Sequence, residues 1–264
     1  GFTRAAVMDG KTLVHRICRV DDCHEPLANY RDGIYCTVHL RLAHQCDDHR
    51  SEVPMHPQLP QGPNGEEGEA VIHHFRAGTI YCVQTVQWAC GVPIGWGKCY
   101  KSESPSQVLR ILNQIFSPNH SIIRPSFIFY DNACKLLAHI VTQDPNSPWL
   151  DTTRFLVDSW HYVNHRATDQ LCREWCNPAP ADGSQPDLVI KQTDSEGNIH
   201  TVRAYNTETA EQLNSWLTSF EAPLRQMTDW NFDFFMHVLM YLYLKSMVAR
   251  LEEEYGSDDD NEDD

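Results

Sequence analysis

Cys18-x4-Cys23-x12-Cys36-x2-His39 is the first pattern along the chain with the chemistry of a metal site. Three soft thiols and one imidazole, arranged as two pairs, suit tetrahedral zinc. The segment between the pairs, HEPLANYRDGIY, is turn-rich and polar. Buried free thiols are ordinary core residues, but four ligand-type residues within 22 positions of polar sequence favour a structural zinc. Cys46 and His49 repeat the C-x2-H spacing, and a further site there would need His56, His73 or His74. The spacing alone does not assign one.

Asp158-x2-His161-x3-His165-x6-Cys172-x3-Cys176 is the second pattern. On a helix, residues four apart share a face. His161 with His165, and Cys172 with Cys176, are therefore expected to converge on a second zinc. The competing reading is a helical face with a buried cysteine and solvated histidines.

The third set is carboxylates. Asp9 follows the apolar AAVM, Asp131 follows FIFY, and NTETAEQLNSWL offers Glu208 and Glu211. Asp131 has a bland explanation as the cap of the helix after it. Glu208 has one too, because an acid in a first turn is favoured by the helix dipole. Glu211 lies deeper and has less of an excuse. Acids meeting at strand ends repel one another unless cations neutralise them, and two ions about 4 Å apart are the arrangement for phosphoryl transfer. Cys134 with His161 as a cysteine hydrolase ranks last, since no oxyanion motif surrounds the thiol.

These residues need a scaffold. Residues 3–17 read as a strand to Asp9, a turn at Gly10 and a second short strand. TIYCVQTVQWAC and VPIGWGKCYKS read as strands, SPSQVLRILNQIF as a helix with Pro in its first turn, and FIFY as a strand leading into a helix from about 132 to 141. TRFLVD gives another strand, and HYVNHRATDQLCREWC gives one helix or two short ones. Residues 187–206 form a hairpin, and long helices span about 207–228 and 231–254. Three early strands followed by alternating elements predict an α/β fold with a mixed sheet flanked by helices. Ribonuclease H-like folds have this order.

The chain has 264 residues, is 41% hydrophobic and carries a formal charge of −15. Nine of its 36 acids lie in the tail at 252–264, and the remaining 27 still outnumber the 21 bases. Such a tail reads as a solvated, disordered end. The acidity argues against this chain alone gripping nucleic acid tightly. Ten cysteines, several of them in zinc-like spacings, with GFTRAAVMDG no signal peptide, read as a reducing, intracellular setting. No unbroken apolar run reaches about 18 residues, so no membrane span is expected. The chain opens directly on a strand-like segment, which reads as part of a longer protein.

Several ordered segments resemble the KDZ (Kyakuja–Dileera–Zisupton) transposases of fungi. They are VMDGKTLVHRIC, CRVDDCHEPLANYRDGIYCTVH, QTVQWACGVPIGWGKCY, FIFYDNACKLLAHI, DSWHYVNHRATDQLCREWCNPAP and NTETAEQLNSWL. The cysteine segment looks like the CxC-type clusters of these transposases, and DSWH like a signature between the second Asp and the Glu of many DDE enzymes. The resemblance implies a ribonuclease H-like core with Asp9, Asp131 and Glu211 as a catalytic triad holding Mg2+ or Mn2+. It divides the chain into a first strand at 1–17, a zinc-binding insertion at 18–49, a linker at 50–78, the rest of the core at 79–228, a C-terminal helix at 229–254 and an acidic tail at 255–264. It implies DNA, as transposon ends and target, for a partner, with help from regions outside this chain. It is compatible with a homo-oligomer, involves no membrane and implies nuclear localisation. Two departures stand out. Only Cys46 and His49 remain of a second ligand set, and no basic DNA-binding module is visible. The rival class is a zinc-stabilised interaction module that has lost catalysis.

Overall fold

The computed structural model describes residues 3–16, 18, 20, 23, 25, 27–29, 35–44, 79–100, 102–118, 122–165, 168–180 and 186–255. Cys46, His49, all of the expected linker and the tail beyond 255 lie outside these residues. The central strand is β1 (Ala5–Arg16). It pairs antiparallel with β2 (Thr79–Trp88), which pairs antiparallel with β3 (Pro93–Tyr100). On its other side it pairs parallel with β4 (Phe127–Phe129), and β4 pairs parallel with β5 (Arg154–Leu156). The order across the sheet is β3-β2-β1-β4-β5.

Alternation along β1 sends side chains to two helical layers. Ala6 and Met8 join Cys82, Val86 and Cys99 under α1 (Pro105–Ile115) and α2 (Ala133–Gln143), which contribute Val108, Ile111, Leu112, Leu136 and Ile140. The short helices α3 (Pro148–Thr152), α4 (Ser159–Tyr162) and α5 (Gln170–Trp175) follow. A separate hairpin, β6 (Val189–Thr193) and β7 (Ile199–Arg203), leads to α6 (Thr209–Leu217). On the opposite face Leu13, Ile80 and Val83 pack against Leu213 and Leu217 of α6, Leu224 of α7 (Glu221–Leu224), and Phe232, Met236 and Leu239 of α8 (Asp229–Tyr255). The molecule is thus a mixed α/β fold with a five-stranded sheet between helices.

Two expectations change, and the last helix carries a feature that a search for unbroken apolar runs passes over. No turn forms at Gly10; β1 runs through it opposite Gln84, and the register shifts only between Thr12 and His15. Gly10 acts as a gap, since a Cβ there would lie 2.6 Å from Glu103 Oε2 and 2.7 Å from Gln84 Nε2. The helix expected at about 207–228 breaks into α6, a 3-10 turn at Thr218–Phe220 and α7. The break sets Pro223 in a first turn, where its missing N–H has no partner to lose. Finally, α8 is long and apolar enough to cross a membrane by length and composition alone. Its histidine and scattered charges hid this from a search for unbroken apolar runs, but Phe232, Met236 and Leu239 of the same helix are buried against the sheet.

Gly97 of β3 is a close-approach position: an added Cβ would lie 2.6 Å from Ile111 Cγ1, in the packed seam between β3 and α1. Gly97→Ala is expected to lower stability by about 1–3 kcal/mol, the range for overpacking a core. Denaturant unfolding checks this, and an unchanged midpoint would mean that α1 can shift outward at no cost.

Candidate functional site

The parallel pairing of β1 and β4 sets Ala5 against Phe127, Ala6 against Ile128 and Val7 against Phe129. Carried on by two residues, the same offset brings Asp9 level with Asp131. Phe127, Ile128 and Phe129 are all buried, so β4 is held fast and its end is a fixed place for a side chain. Asp131 does not cap α2. The cap position is Asn132, with no side-chain cap bond. Instead Asp131 Oδ1 accepts from the Asn132 amide and Oδ2 from Asn132 Nδ2, each at 2.6 Å. The carboxylate is held from behind by its neighbour.

Asp9 is turned toward the α6 layer, where Asn214 Nδ2 donates to its Oδ2 at 2.8 Å. Burial, then the charges of Glu211 and Asp131, push the Asp9 carboxyl up to about 7. Burial, then the charge of Glu103, pushes Asp131 up to about 6, although the Asn132 bonds pull the other way. Glu211 and Asp131 both lie near enough to Asp9 for their charges to act on it. Glu211 is half-buried in the first turn of α6, whereas Glu208 at the helix start is exposed. The geometry favours Glu211 as the acid facing Asp9.

Glu103 was missed by sequence reading. It lies between β3 and α1, where an acid before a helix is unremarkable. Here Tyr130 Oη and Gln84 Nε2 each donate to its Oε1 at 2.5 Å. Gly10 leaves the space that it fills. The one sequence signal was a glycine inside a strand, which marks close approach. Asp158 caps α4 by accepting from the amides of Trp160 and His161 at 3.0 Å, and His161 Nδ1 lies 2.7 Å from its Oδ2. Burial alone would lower the His161 pKa. The Asp158 carboxylate outweighs it and raises the pKa, with smaller contributions from Asp131 and Glu211. His161 therefore belongs to the edge of the carboxylate cluster.

Cys18, Cys23, Cys36 and His39 bring their ligand atoms within 4.8 Å of one another. Cys23 Sγ lies 3.8 Å from Cys36 Sγ, and His39 Nδ1 lies 3.5 Å from Cys18 Sγ and 3.3 Å from Cys36 Sγ. Ligands at about 2.0–2.3 Å from a tetrahedral zinc stand roughly 3.5–3.8 Å apart, so the set fits that ion. The Cys23 amide donates to Val20 O and the His39 amide to Cys36 O, which closes the two ligand turns. The second cluster differs from expectation: it joins Cys134, His165 and Cys172. His161 is not part of it. The helix α4 ends at Tyr162, so His161 and His165 do not share a helical face, and Asp158 holds the His161 ring. Cys176 is fully buried and close enough to Cys134 and Cys172 for their charges to push its thiol up, after burial itself. Both Cys/His sets could hold zinc.

Residues 7–74 match the family model described as a CxC6-like cysteine cluster associated with KDZ transposases. This stretch is similar to the cysteine clusters associated with KDZ transposases. It carries the first zinc ligand set together with Asp9, and it covers about a quarter of the 264 residues. No curated protein and no solved structure matches the chain.

Two outcomes follow from this geometry. Cys36→Ser is expected to remove one zinc per chain, read by elemental analysis; an unchanged zinc content would break the first site. The second concerns pH. Folding raises the Asp9 carboxyl from about 3.8 to about 7, so the folded chain without Mg2+ or Mn2+ holds that proton more tightly than the unfolded chain. Its contribution to stability is full below about pH 4 and is lost as pH rises through about 7. The stability gained by Asp9→Asn over the wild type should therefore grow across that window, with zinc kept bound in both. A difference that stays flat with pH would show that the carboxyl is not crowded.

Proposed function

We propose that the chain is the catalytic core of a DDE-type transposase or a domesticated derivative of one, cleaving and joining DNA strands with divalent metal. The observation that carries this reading is the crowding of Asp9, within β1, by the charges of Asp131, just past the end of β4, and Glu211 of α6, with Glu103 adding a further charge on Asp131. The strand order β3-β2-β1-β4-β5 supports a ribonuclease H-like core, and the KDZ-associated cluster supports descent from a transposase.

Oxygen donors from several carboxylates are the ligand chemistry of Mg2+ and Mn2+. The crowding that raises Asp9 and Asp131 is what a hard cation would relieve. Asp9, Asp131 and Glu211 would hold the ions, which supply activation of a water or 3′-hydroxyl and stabilisation of the leaving oxygen at a phosphodiester. The protein's own part is positional. Asn214 orients Asp9, Asn132 orients Asp131, and α6 brings Glu211 across the same sheet edge. His161, held by Asp158, places an imidazole beside the cluster, its pKa raised by the Asp158 carboxylate. In this reading the segment between β1 and β2 is a zinc-bearing insertion in the core. The partner is DNA, the site of action is the nucleus, and a second copy of the chain and regions beyond it assist in gripping the substrate.

The excess of acids over bases favours a second reading, an inactive zinc-stabilised module that binds other proteins. Asp131→Asn separates the two. It keeps the size and one of the two hydrogen bonds accepted from Asn132 but removes a negative ligand. Nicking of supercoiled DNA in Mn2+ should fall by at least about 100-fold, beyond what losing an outer-shell partner costs, with little change in thermal stability. Equal nicking by both proteins would reject the catalytic assignment. No nicking and no Mn2+ binding by the wild type would favour the inactive module.

A further inference from the structure

We infer that Cys134, His165, Cys172 and Cys176 form a second zinc site, a Cys3His set that clamps α2 to the segment after β5. Cys134 Sγ lies 3.7 Å from His165 Nδ1, and His165 Nδ1 lies 3.1 Å from Cys172 Sγ. These three ligand atoms fall within 4.8 Å of one another. Cys176 follows Cys172 by one helical turn, its amide donating to the Cys172 carbonyl at 3.0 Å, so both thiols lie on one face of α5. All three cysteines are buried in one core cluster, with Cys172 and Cys176 at 0% exposure and Cys134 at 7%. The three are free thiols. A single disulfide among them would strand the third, whereas one zinc uses all three and the imidazole.

The ligands come from three separate pieces of chain. Cys134 is in the first turn of α2, three residues beyond Asp131. His165 is in the turn after α4, four residues beyond His161. Cys172 and Cys176 are at the two ends of α5. Val157 donates its amide to the Cys176 carbonyl at 2.9 Å, which ties α5 to the end of β5. One ion would therefore fix the origin of α2 against the segment carrying Asp158 and His161. That positioning role rests on the carboxylate reading above; the metal site does not.

Zinc stoichiometry of the full chain tests the site. The wild type should hold two zinc ions, and Cys134→Ser and Cys176→Ser one each. His161→Ala should keep both, because His161 is engaged with Asp158. Two zinc ions in Cys134→Ser, or loss of one in His161→Ala, would overturn the ligand set. Should Cys134→Ser fail to fold, Co2+ loaded into the Cys36→Ser protein decides, since only the second site remains there. Tetrahedral cobalt bands with thiolate charge transfer support the proposal, and their absence overturns it. These readouts do not involve DNA, so a failure here leaves the cleavage reading standing, and loss of cleavage alone leaves the zinc site standing.

Discussion

The parallel register between β1 and β4 is the constraint on which the rest depends. It places Asp9 and Asp131 side by side, 122 positions apart in the chain. Two carboxylates so placed repel each other, and burial removes the water that would screen them. Such an arrangement persists only if the strands beneath it are stable enough to hold it. Here both layers of core press on those strands: Ala6 and Met8 are buried on one side, and Val7, Phe127 and Phe129 on the other. The sheet holds the charges together, and the helices hold the sheet.

The surrounding polar contacts share one logic. Three acids of the cluster are gripped by neutral donors. Asn214 serves Asp9, Asn132 serves Asp131, and Tyr130 and Gln84 serve Glu103. A lysine or arginine in these places would neutralise the acids and relieve the repulsion. Amides and a phenol fix the oxygen positions while leaving the negative charge to attract a cation. Asn214 does this at both ends, with Nδ2 on Asp9 and Oδ1 3.4 Å from the Thr85 hydroxyl of the neighbouring strand. The orientation of Asp9 is thus coupled to the packing of α6 on β2.

Sequence reading recovered what local pattern encodes. The order of strands and helices, the hairpin near 194–198 and the four ligands in 18–39 all follow from periodicity, turn residues and spacing. It failed where tertiary contact decides. Gly10 looked like a turn because its need for space comes from Glu103, 93 positions away. His161 and His165 looked like a helical pair because their spacing is right, but the helix that would pair them stops after one turn. Cys134 looked like core because its ligand partners lie more than 30 residues further on. Glu103 drew no attention because its partners, Gln84 and Tyr130, lie on other strands or beyond them.

The two cysteine sets stand in different relations to the carboxylates, and this bears on what each can do. The set at 18–39 sits in a segment with little apolar content, where, among the described residues, Leu27 is the buried side chain apart from the cysteines themselves. Metal there would replace a hydrophobic core, as it does in small zinc modules. The set around Cys134 lies inside an existing core, beside Tyr162 and the start of α2. Metal there has no folding deficit to make up. Its effect must be local: to fix how α2 and α4 approach each other. Asp131 precedes α2, Asp158 opens α4, and His161 feels the charge of Asp131. A clamp on these two helices therefore acts on the distance between the acid and the histidine, a dimension of the cluster that the strand register leaves unset.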